Sequence, residues 1–227
     1  MKKVNIAIDG PAGAGKSTVS KEIAKRLEYT FINSGSMYRA IAYNAIMHDV
    51  DLDNENSVTE TLKSVEIELK LDESVWINGR DVSNAIRAEH ISHGSSTIAK
   101  YQKVREFVVS YIQNMTKANK GFIIDGRDTT FKLMPHAEVK IFLWADAQER
   151  AKRRQLQNET MGFKTSYDEV LLDVKLRDEQ DMNRKVDPLH KTEDATLIDC
   201  TNMSFEEVVL EIIRIVDLTI VKANNEK

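Results

Sequence analysis

A glycine-rich run near the N-terminus has the residue types and the spacing that bind phosphate. The run Gly10-Pro11-Ala12-Gly13-Ala14-Gly15-Lys16-Ser17 fits the pattern G-x-x-x-x-G-K-[ST], and Thr18 follows it. Glycines allow backbone N–H groups to turn toward a phosphate, and the helix that follows adds the positive end of its dipole. Lys16 would reach the β- and γ-phosphates, and Ser17 would bind Mg²⁺, with Asp125 acting through water. The spacing predicts a site for a nucleoside triphosphate with Mg²⁺.

Two further motifs could bind the second substrate that phosphoryl transfer requires. Ser34-Gly35-Ser36-Met37-Tyr38-Arg39 follows the second predicted strand, and Asp125-Gly126-Arg127-Asp128 follows a later one. Because ligands gather at the carboxyl ends of parallel strands, we expect both motifs at one edge of the sheet, with Arg39 placed for an acceptor phosphate. The guanine-binding pattern N-K-x-D is missing, since Gly121-Phe122 follows Asn119-Lys120, which argues against a GTPase.

Arginines cluster in the second half of the chain. Arg150, Lys152, Arg153 and Arg154 are four positive charges in five residues, and Arg177, Asp181 and Arg184 are spaced to share one helix face. Charge runs of this kind are usually solvated surfaces. Charge on a transferring phosphoryl group is stabilised mainly by positioned Arg, Lys and Mg²⁺. Because the chain also has the glycine-rich phosphate-binding loop (P-loop), we predict that these arginines bind phosphate. His90 and His93, the one close histidine pair, are assigned no zinc.

The elements that must position these motifs alternate between strand and helix. Apolar strands are predicted over residues 4–8, 29–32, 121–125, 140–144 and 197–199, and helices over 35–47, 146–157, 167–185 and 204–216. Further helices are predicted after the glycine run and around Val104 and Val108, and residues 49–56 are predicted as an acidic loop. This order predicts an α/β fold of the P-loop nucleoside triphosphate hydrolase type, a parallel sheet flanked by helices.

One segment departs from that alternation of strand and helix. Apolar Val65, Ile67, Leu69 and Leu71 alternate with polar residues, and Val75-Trp76-Ile77 leads into the turn signal Asn78-Gly79. We therefore predict a small antiparallel insert at about 65–86.

Composition restricts the class of protein. The 227 residues are 41% hydrophobic and 30% charged, which predicts one generous globular domain and argues against disorder. The net charge of −4, from 32 basic and 36 acidic residues, disfavours a protein that coats nucleic acid or an anionic membrane. Cys200 is the single cysteine, which excludes an internal disulfide, and no targeting segment is evident. We expect a cytoplasmic monomer with small-molecule substrates.

Several motifs in order resemble a known family, the bacterial-type cytidylate (CMP) kinases, a branch of the nucleoside monophosphate kinases. They are the run from Ile8 to Thr18, Ser34 to Arg39, Asn78-Gly79-Arg80-Asp81-Val82-Ser83, Val104-Arg105-Glu106, Asp125 to Asp128, and Arg177-Asp178 through Arg184. The resemblance runs nearly end to end. It implies a single P-loop kinase chain over 1–227, with a monophosphate-binding region over 34–105 that contains the insert and a helical lid over 150–165. It further implies ATP as phosphoryl donor and CMP or dCMP as acceptor.

The resemblance also implies a role for each matching residue. Ser34, Ser96, Arg105 and Asp128 look like cytosine contacts, Asp181 like a ribose contact, and Arg39, Arg127, Arg177 and Arg184 like phosphate contacts, with Tyr38 in the same CMP-binding set. Arg150, Arg153 and Arg154 join the P-loop in binding ATP, and Lys16, Arg127, Arg177 and Arg184 are the expected catalytic residues. Cytosine presents an N4 amino donor beside the N3 and O2 acceptors, so a carboxylate at Asp128 and a guanidinium at Arg105 suit it.

Two positions depart from the pattern of that family. Asn33 stands where Asp is usual, and Thr129-Thr130-Phe131-Lys132 stands where an apolar residue, Gly, Thr and Val are usual. Because threonine resists positive φ, we predict a different path for that loop. Two alternatives stay open: a P-loop kinase for another small acceptor, such as UMP, shikimate or a nucleoside, and a nucleotide-binding module without catalysis.

Overall fold

The chain divides into two units in a computed structural model that describes residues 2–70, 72–160 and 162–225. One unit is Met1–Tyr29 with Lys120–Lys227, and the other is Thr30–Asn119. Leu71, in the predicted insert, and Met161, in the predicted lid, lie outside the described residues.

The helices and strands are numbered here in chain order. The strands are β1 (Ile6–Asp9), β2 (Thr30–Asn33), β3 (Ile67–Leu69), β4 (Val75–Ile77), β5 (Arg80–Asp81), β6 (Phe122–Gly126), β7 (Val139–Trp144) and β8 (Thr196–Asp199). The helices are α1 (Lys16–Leu27), α2 (Ser34–Met47), α3 (Glu55–Thr61), α4 (Glu89–Ile98), α5 (Gln102–Thr116), α6 (Ala147–Thr160), α7 (Tyr167–Asn183) and α8 (Phe205–Asn225). A short 3₁₀ turn covers Ala85–Arg87 and a π-helical turn covers Thr129–Leu133.

The first unit is built on parallel strands in the order β6-β1-β7-β8. Ile8 lies opposite Asp125 on one side and Ile141 on the other. Asp125 of β6, a predicted site residue, is therefore in register with the end of β1. The central strands are buried on both faces, which explains their continuous apolar runs. Helices α1 and α8 pack against this sheet, and α6 packs against α7 through Ala151, Val170 and Val174.

The second unit carries the antiparallel sheet β3-β4-β5. Ile67 lies opposite Ile77, and the β4–β5 turn uses Asn78 and Gly79, both with positive φ (48° and 75°). That is the geometry which an Asn-Gly hairpin turn requires. Helix α2 packs against α4, and Gly94 of α4 leaves room for the side chain of Leu52: a Cβ at Gly94 would lie 2.5 Å from Leu52 Cδ1.

The fold predicted from the sequence is confirmed: parallel strands flanked by helices, with a separate antiparallel sheet. Each predicted strand of the parallel sheet lies within two residues of an observed one. The predicted acidic loop over 49–56 is correct as far as Asn54 and wrong from Glu55, where α3 begins, and no helix was predicted at α4. Among the described residues no helix is both long and apolar enough to span a bilayer.

Candidate active site

The phosphate-binding loop connects β1 to α1 in the first unit. Gly10 has a φ of 151°, and a Cβ at this position would lie 2.0 Å from the carbonyl oxygen of Leu143. Gly15 forms the N-cap of α1 with a φ of 89°, a left-handed conformation that residues with side chains rarely adopt. Geometry therefore requires glycine at both positions. The loop ends at the N-terminus of α1, where an anion is favoured.

Lys16, the first residue of α1, is buried within this loop. Its ammonium group donates to the carbonyl oxygens of Gly10 and Pro11 at 2.7 and 2.8 Å. Burial lowers the pKa of Lys16 well below its usual range, and the charge of Arg127 lowers it further. Attraction to Asp125, Asp181 and Asp9 opposes this lowering, and a phosphate bound by the loop would stabilise the charged lysine further.

Ser17 and Asp125 place oxygen atoms beside Lys16. The Ser17 hydroxyl donates a hydrogen bond to Asp125, whose carboxylate is buried on β6. Mg²⁺ prefers such oxygen ligands, and it usually takes one or two protein groups together with substrate phosphates and water. The pair therefore fits a magnesium ion that arrives with a nucleotide. Within residues 2–70, 72–160 and 162–225, no cluster of three or more His, Cys, Asp and Glu could hold a metal.

Two arginine–carboxylate pairs join predicted acceptor-site residues in the same unit. Arg127 Nε donates to Asp181 Oδ2 at 2.6 Å, and Arg184 Nη2 lies 3.5 Å from Asp128 Oδ1. Burial alone would raise the pKa of Asp181, but attraction to Arg127, Arg184 and Arg177 and the hydrogen bond from Arg127 hold it below its usual range. Burial opposes the charge of Arg127 as well, yet Asp181 raises the pKa of that guanidinium. Both members of the Arg127–Asp181 pair are therefore ionised near neutral pH.

Asp9, to which the sequence analysis assigned no role, fixes the loop that follows Arg127 and Asp128. Its buried carboxylate accepts hydrogen bonds from Thr129 N at 2.7 Å, Thr130 N at 2.8 Å and Thr130 Oγ1 at 2.6 Å. None of the residues Thr129–Leu133 has a positive φ, in keeping with their side chains. An acid at the end of a buried strand was the sequence signal for this role.

Arg150 lies behind the phosphate-binding loop rather than on the surface. Its guanidinium donates to the carbonyl oxygen of Ala12 at 2.8 Å and to that of Ala145 at 2.7 Å. It also forms an ion pair with Asp178 at 2.5 Å, and the arginine side chain is only 1% exposed. Arg150 thus supports the loop backbone, a role that the sequence did not reveal, while its predicted contact with ATP stays a prediction.

The other two arginines predicted to bind ATP are only partly buried on α6. Arg153 donates to the carbonyl oxygen of Cys200 at 2.9 Å and to Glu149 at 3.2 Å. Arg154 lies 4.0 Å from Asp173. Cys200 is buried, and its thiol lies 3.6 Å from the carbonyl oxygen of Ala14 in the phosphate-binding loop. Cys200 therefore packs against the phosphate-binding loop as a structural residue.

The remaining predicted acceptor-site residues lie in the second unit. Arg105 is 2% exposed, donates to the carbonyl oxygen of Ala99 at 3.1 Å and has its guanidinium carbon 5.9 Å from the centre of the Tyr38 ring. Ser34 is buried at the first residue of α2, which Arg39 also belongs to, and the Ser96 hydroxyl donates to Ser92 O at 3.3 Å. The buried Arg105 charge thus lies within the distance at which an aromatic ring attracts a cation.

Asn33, the other departure noted in the sequence, caps α2. Its side-chain oxygen accepts a hydrogen bond from Ser36 N at 3.0 Å. Asparagine and aspartate are equally effective in this position, so the substitution preserves the start of the helix that carries Ser34 and Arg39.

Comparison with known proteins identifies the family of this chain. A family model described as "Cytidylate kinase" matches residues 6–218. The cytidylate kinase of Mycoplasmopsis synoviae (strain 53) is 60% identical over 214 residues, which cover 94% of this chain and 98% of that protein. The chain belongs to the cytidylate kinase family. The cytidylate kinase of Geobacillus sp. (strain WCH70) is 47% identical over 217 residues, covering 94% of this chain and 96% of that protein.

A solved structure shares the fold of this cytidylate kinase family member at low sequence similarity. It is an uncharacterized protein from Eubacterium ventriosum ATCC 27560, with a TM-score of 0.56 and 12% identity over 95% of this chain and 99% of that one. At that identity the likeness concerns the fold alone. The family model and the sequence relatives confirm the family resemblance inferred from the motifs.

Proposed function

We propose that this chain transfers the γ-phosphoryl group of ATP to CMP or dCMP, giving ADP and CDP or dCDP. The observation that carries the proposal is that, in a cytidylate kinase family member, the unit with the Lys16 loop also holds the Arg127–Asp181 and Arg184–Asp128 pairs. These pairs offer cations for phosphates and carboxylates for a sugar and a base. A simple triphosphatase would have no use for that second set.

Transfer needs positioning and charge stabilisation more than it needs acid–base chemistry. The attacking 5′-phosphate is already an anion, so no side chain has to remove a proton from it. Lys16 exchanges its two carbonyl partners for the β- and γ-phosphates, and Arg127, Arg177 and Arg184 stabilise the charge on the transferring group. Ser17 and Asp125 would hold Mg²⁺, which when bound neutralises phosphate charge.

Acceptor specificity follows from the polarity of the base. Asp128 accepts the N4 amino hydrogen of cytosine, and Arg105 donates to N3 or O2, with Ser34 and Ser96 completing the contacts. Uracil would place an acceptor against the carboxylate of Asp128, and a buried mismatch of this kind discriminates strongly. Asp181 accepts a hydrogen bond from a ribose hydroxyl, and Arg39 binds the acceptor phosphate beside Tyr38.

The proposal also covers the lid, the partners and the compartment. Residues 150–165 close over the nucleotides and exclude water, with the exposed part of α6 moving while Arg150 stays anchored to Ala12. The chain acts as a monomer in the cytoplasm on free nucleotides.

An acceptor panel tests the reaction directly. ADP release from ATP is measured with CMP, dCMP, UMP, AMP and GMP, and kcat/KM is compared. We expect the cytidine nucleotides to exceed the others at least tenfold, and equal activity with AMP or UMP would reject the assignment. Absence of multiple turnover with every acceptor would instead support the nucleotide-binding module.

Asp128→Ala tests the site itself. Because Asp128 is assigned to the base, we expect KM for CMP to rise at least tenfold while KM for ATP changes less than twofold. Asp199→Ala, an exposed carboxylate of the same unit, is the matched control and should change neither constant. An unchanged KM for CMP in a folded Asp128→Ala protein would remove this residue from the site.

A further inference from the structure

The π-helical turn after Asp128 reaches a second segment of the same unit. Lys132 Nζ lies 3.0 Å from Asp187 Oδ1, and the ring centres of Phe131 and His190 are 4.4 Å apart. Two adjacent residues of the turn therefore contact the chain that follows α7. This turn is also where the sequence departs from the usual pattern of the family.

Asp187 connects that contact to Arg184. Its backbone is left-handed, with a φ of 46°, and its carbonyl oxygen accepts from both Nε (2.8 Å) and Nη2 (2.5 Å) of Arg184. Non-glycine residues seldom adopt this conformation without help from the surrounding structure, although aspartate tolerates it better than most. The Asp187 side chain is 13% exposed, so its carboxylate is held rather than solvated.

A neutral group holds the Arg184 guanidinium in addition to the carboxylate of Asp128. A carbonyl oxygen that accepts two N–H groups fixes the plane of a guanidinium. Because the carbonyl is neutral, it leaves the positive charge in place, whereas a carboxylate would neutralise it. The Arg184 side chain is 7% exposed, and its Nη2 also lies 3.5 Å from Asp128 Oδ1. The backbone of Asp187 thus aims the cation, and the side chain of Asp187 is anchored by Lys132.

We propose that Lys132 and Asp187 are a positioning pair that fixes Arg184 for its work on phosphate. The inference rests on the proposed function of Arg184, and it adds two residues to which no substrate contact has been assigned. Because Lys132 is 48% exposed, the pair is weak and its loss should be felt as a small, specific effect. An exposed pair of this strength corresponds to a two- to fivefold change in a rate or an affinity.

The test compares Lys132→Met and Asp187→Asn, which keep the size of each side chain. Each should lower kcat/KM for CMP two- to fivefold with KM for ATP unchanged, and the double variant should be no worse than either single one. Lys132→Arg should restore the wild-type value. Lys140→Met is the matched control, because Lys140 and Asp194 form a Lys–Asp pair at 2.6 Å in the same unit.

A second background shows whether the effect passes through Arg184. The Arg184→Lys protein lacks the planar guanidinium that the carbonyl of Asp187 orients. In that protein, Lys132→Met should have no additional effect on kcat/KM. The proposal is overturned if Lys132→Met behaves like Lys140→Met, or if its effect persists unchanged in the Arg184→Lys background.

A readout without turnover separates this proposal from the proposed function. Exchange of the Arg184 Nε proton with water, measured by NMR, should be faster in Lys132→Met and Asp187→Asn than in wild type and Lys140→Met. If the wild type fails the acceptor panel, the function falls while the exchange measurement still decides the positioning. Unchanged exchange in both variants would sink the positioning pair even in an active kinase.

Discussion

At the scale of single residues, two carboxylates without a predicted role support the candidate site. Asp9 accepts three hydrogen bonds from two consecutive threonines, and Asp178 pairs with the guanidinium that supports Ala12. A motif reveals side chains that face a ligand because their types and spacing are tied to the chemistry. The supporting acids could not be assigned, because their partners are distant in sequence and only the fold brings them together.

Asp9→Asn should destabilise the protein by about 2–4 kcal/mol, because an amide has one oxygen to offer two N–H donors and turns its NH₂ group toward the other. Urea unfolding at neutral pH measures the change. Asp199→Asn is the matched control: Asp199 also accepts from the backbone N and hydroxyl of one threonine, Thr201, but it is exposed. Equal losses in the two variants would mean that burial of the Asp9 network contributes nothing.

The pKa of Asp181 predicts how stability depends on pH. This pKa lies below its usual range in the fold, because attraction to Arg127, Arg184 and Arg177 and the hydrogen bond from Arg127 together outweigh the effect of burial. Asp181 therefore stabilises the fold above the pKa of an unfolded aspartate, about 3.9, and the contribution is lost as the pH falls below that value toward the lower folded pKa. Asp181→Asn should be less stable than wild type at pH 7, by about 1–3 kcal/mol, and the gap should narrow between pH 5 and pH 3. Urea midpoints at several pH values would contradict this if the gap stayed constant.

At the scale of elements, local signals decided what the sequence could predict. Strand β1, the glycine loop and helix α1 were placed closely, because apolar runs, φ-permissive glycines and helical periodicity all act within a few residues. Helix α3 was missed because its acidic residues indicated a loop, although Asn54 caps it by accepting from Ser57 N at 3.1 Å. The π-helical turn at Thr129–Leu133 could not be predicted, because Asp9, 120 residues earlier in the chain, holds it in place.

Two adjacent threonines in that turn provide a matched test of it. Thr130 Oγ1 donates to Asp9 at 2.6 Å, whereas buried Thr129 Oγ1 has no hydrogen-bond partner within the described part of the chain. Thr130→Val should therefore cost about 1–2 kcal/mol, while Thr129→Val should be neutral within about 0.5 kcal/mol or stabilising. Chemical denaturation of both variants measures the difference. A larger loss for Thr129→Val would show that the turn is held in another way.

At the scale of the whole molecule, the two units carry different parts of the proposed chemistry. The first contains the ATP loop and the Arg127, Asp128, Asp181 and Arg184 pairs, and the second contains Arg39, Arg105 and the serines assigned to CMP. The modest net charge of −4 conceals this distribution, because cations are concentrated at the proposed site residues and acids such as those before α3 lie outside them. A protein with two small anionic substrates needs that local arrangement, and not a basic surface.

Stabilisation by ATP and stabilisation by CMP should therefore be lost in different variants. A ligand present at a hundred times its Kd stabilises the native state by about 2.7 kcal/mol, which for a chain of this size raises Tm by roughly 5–10 °C. Lys16→Met should lose most of the shift produced by Mg²⁺ with a non-hydrolysable ATP analogue and keep the shift produced by CMP. Arg105→Met, which retains the buried volume, should show the reverse. Arg214→Met, an exposed arginine paired with Glu211, is the control that keeps both shifts. Scanning fluorimetry of the intact chain measures each Tm shift. Loss of both shifts in either site variant would mean that binding of the two nucleotides cannot be assigned to separate residues.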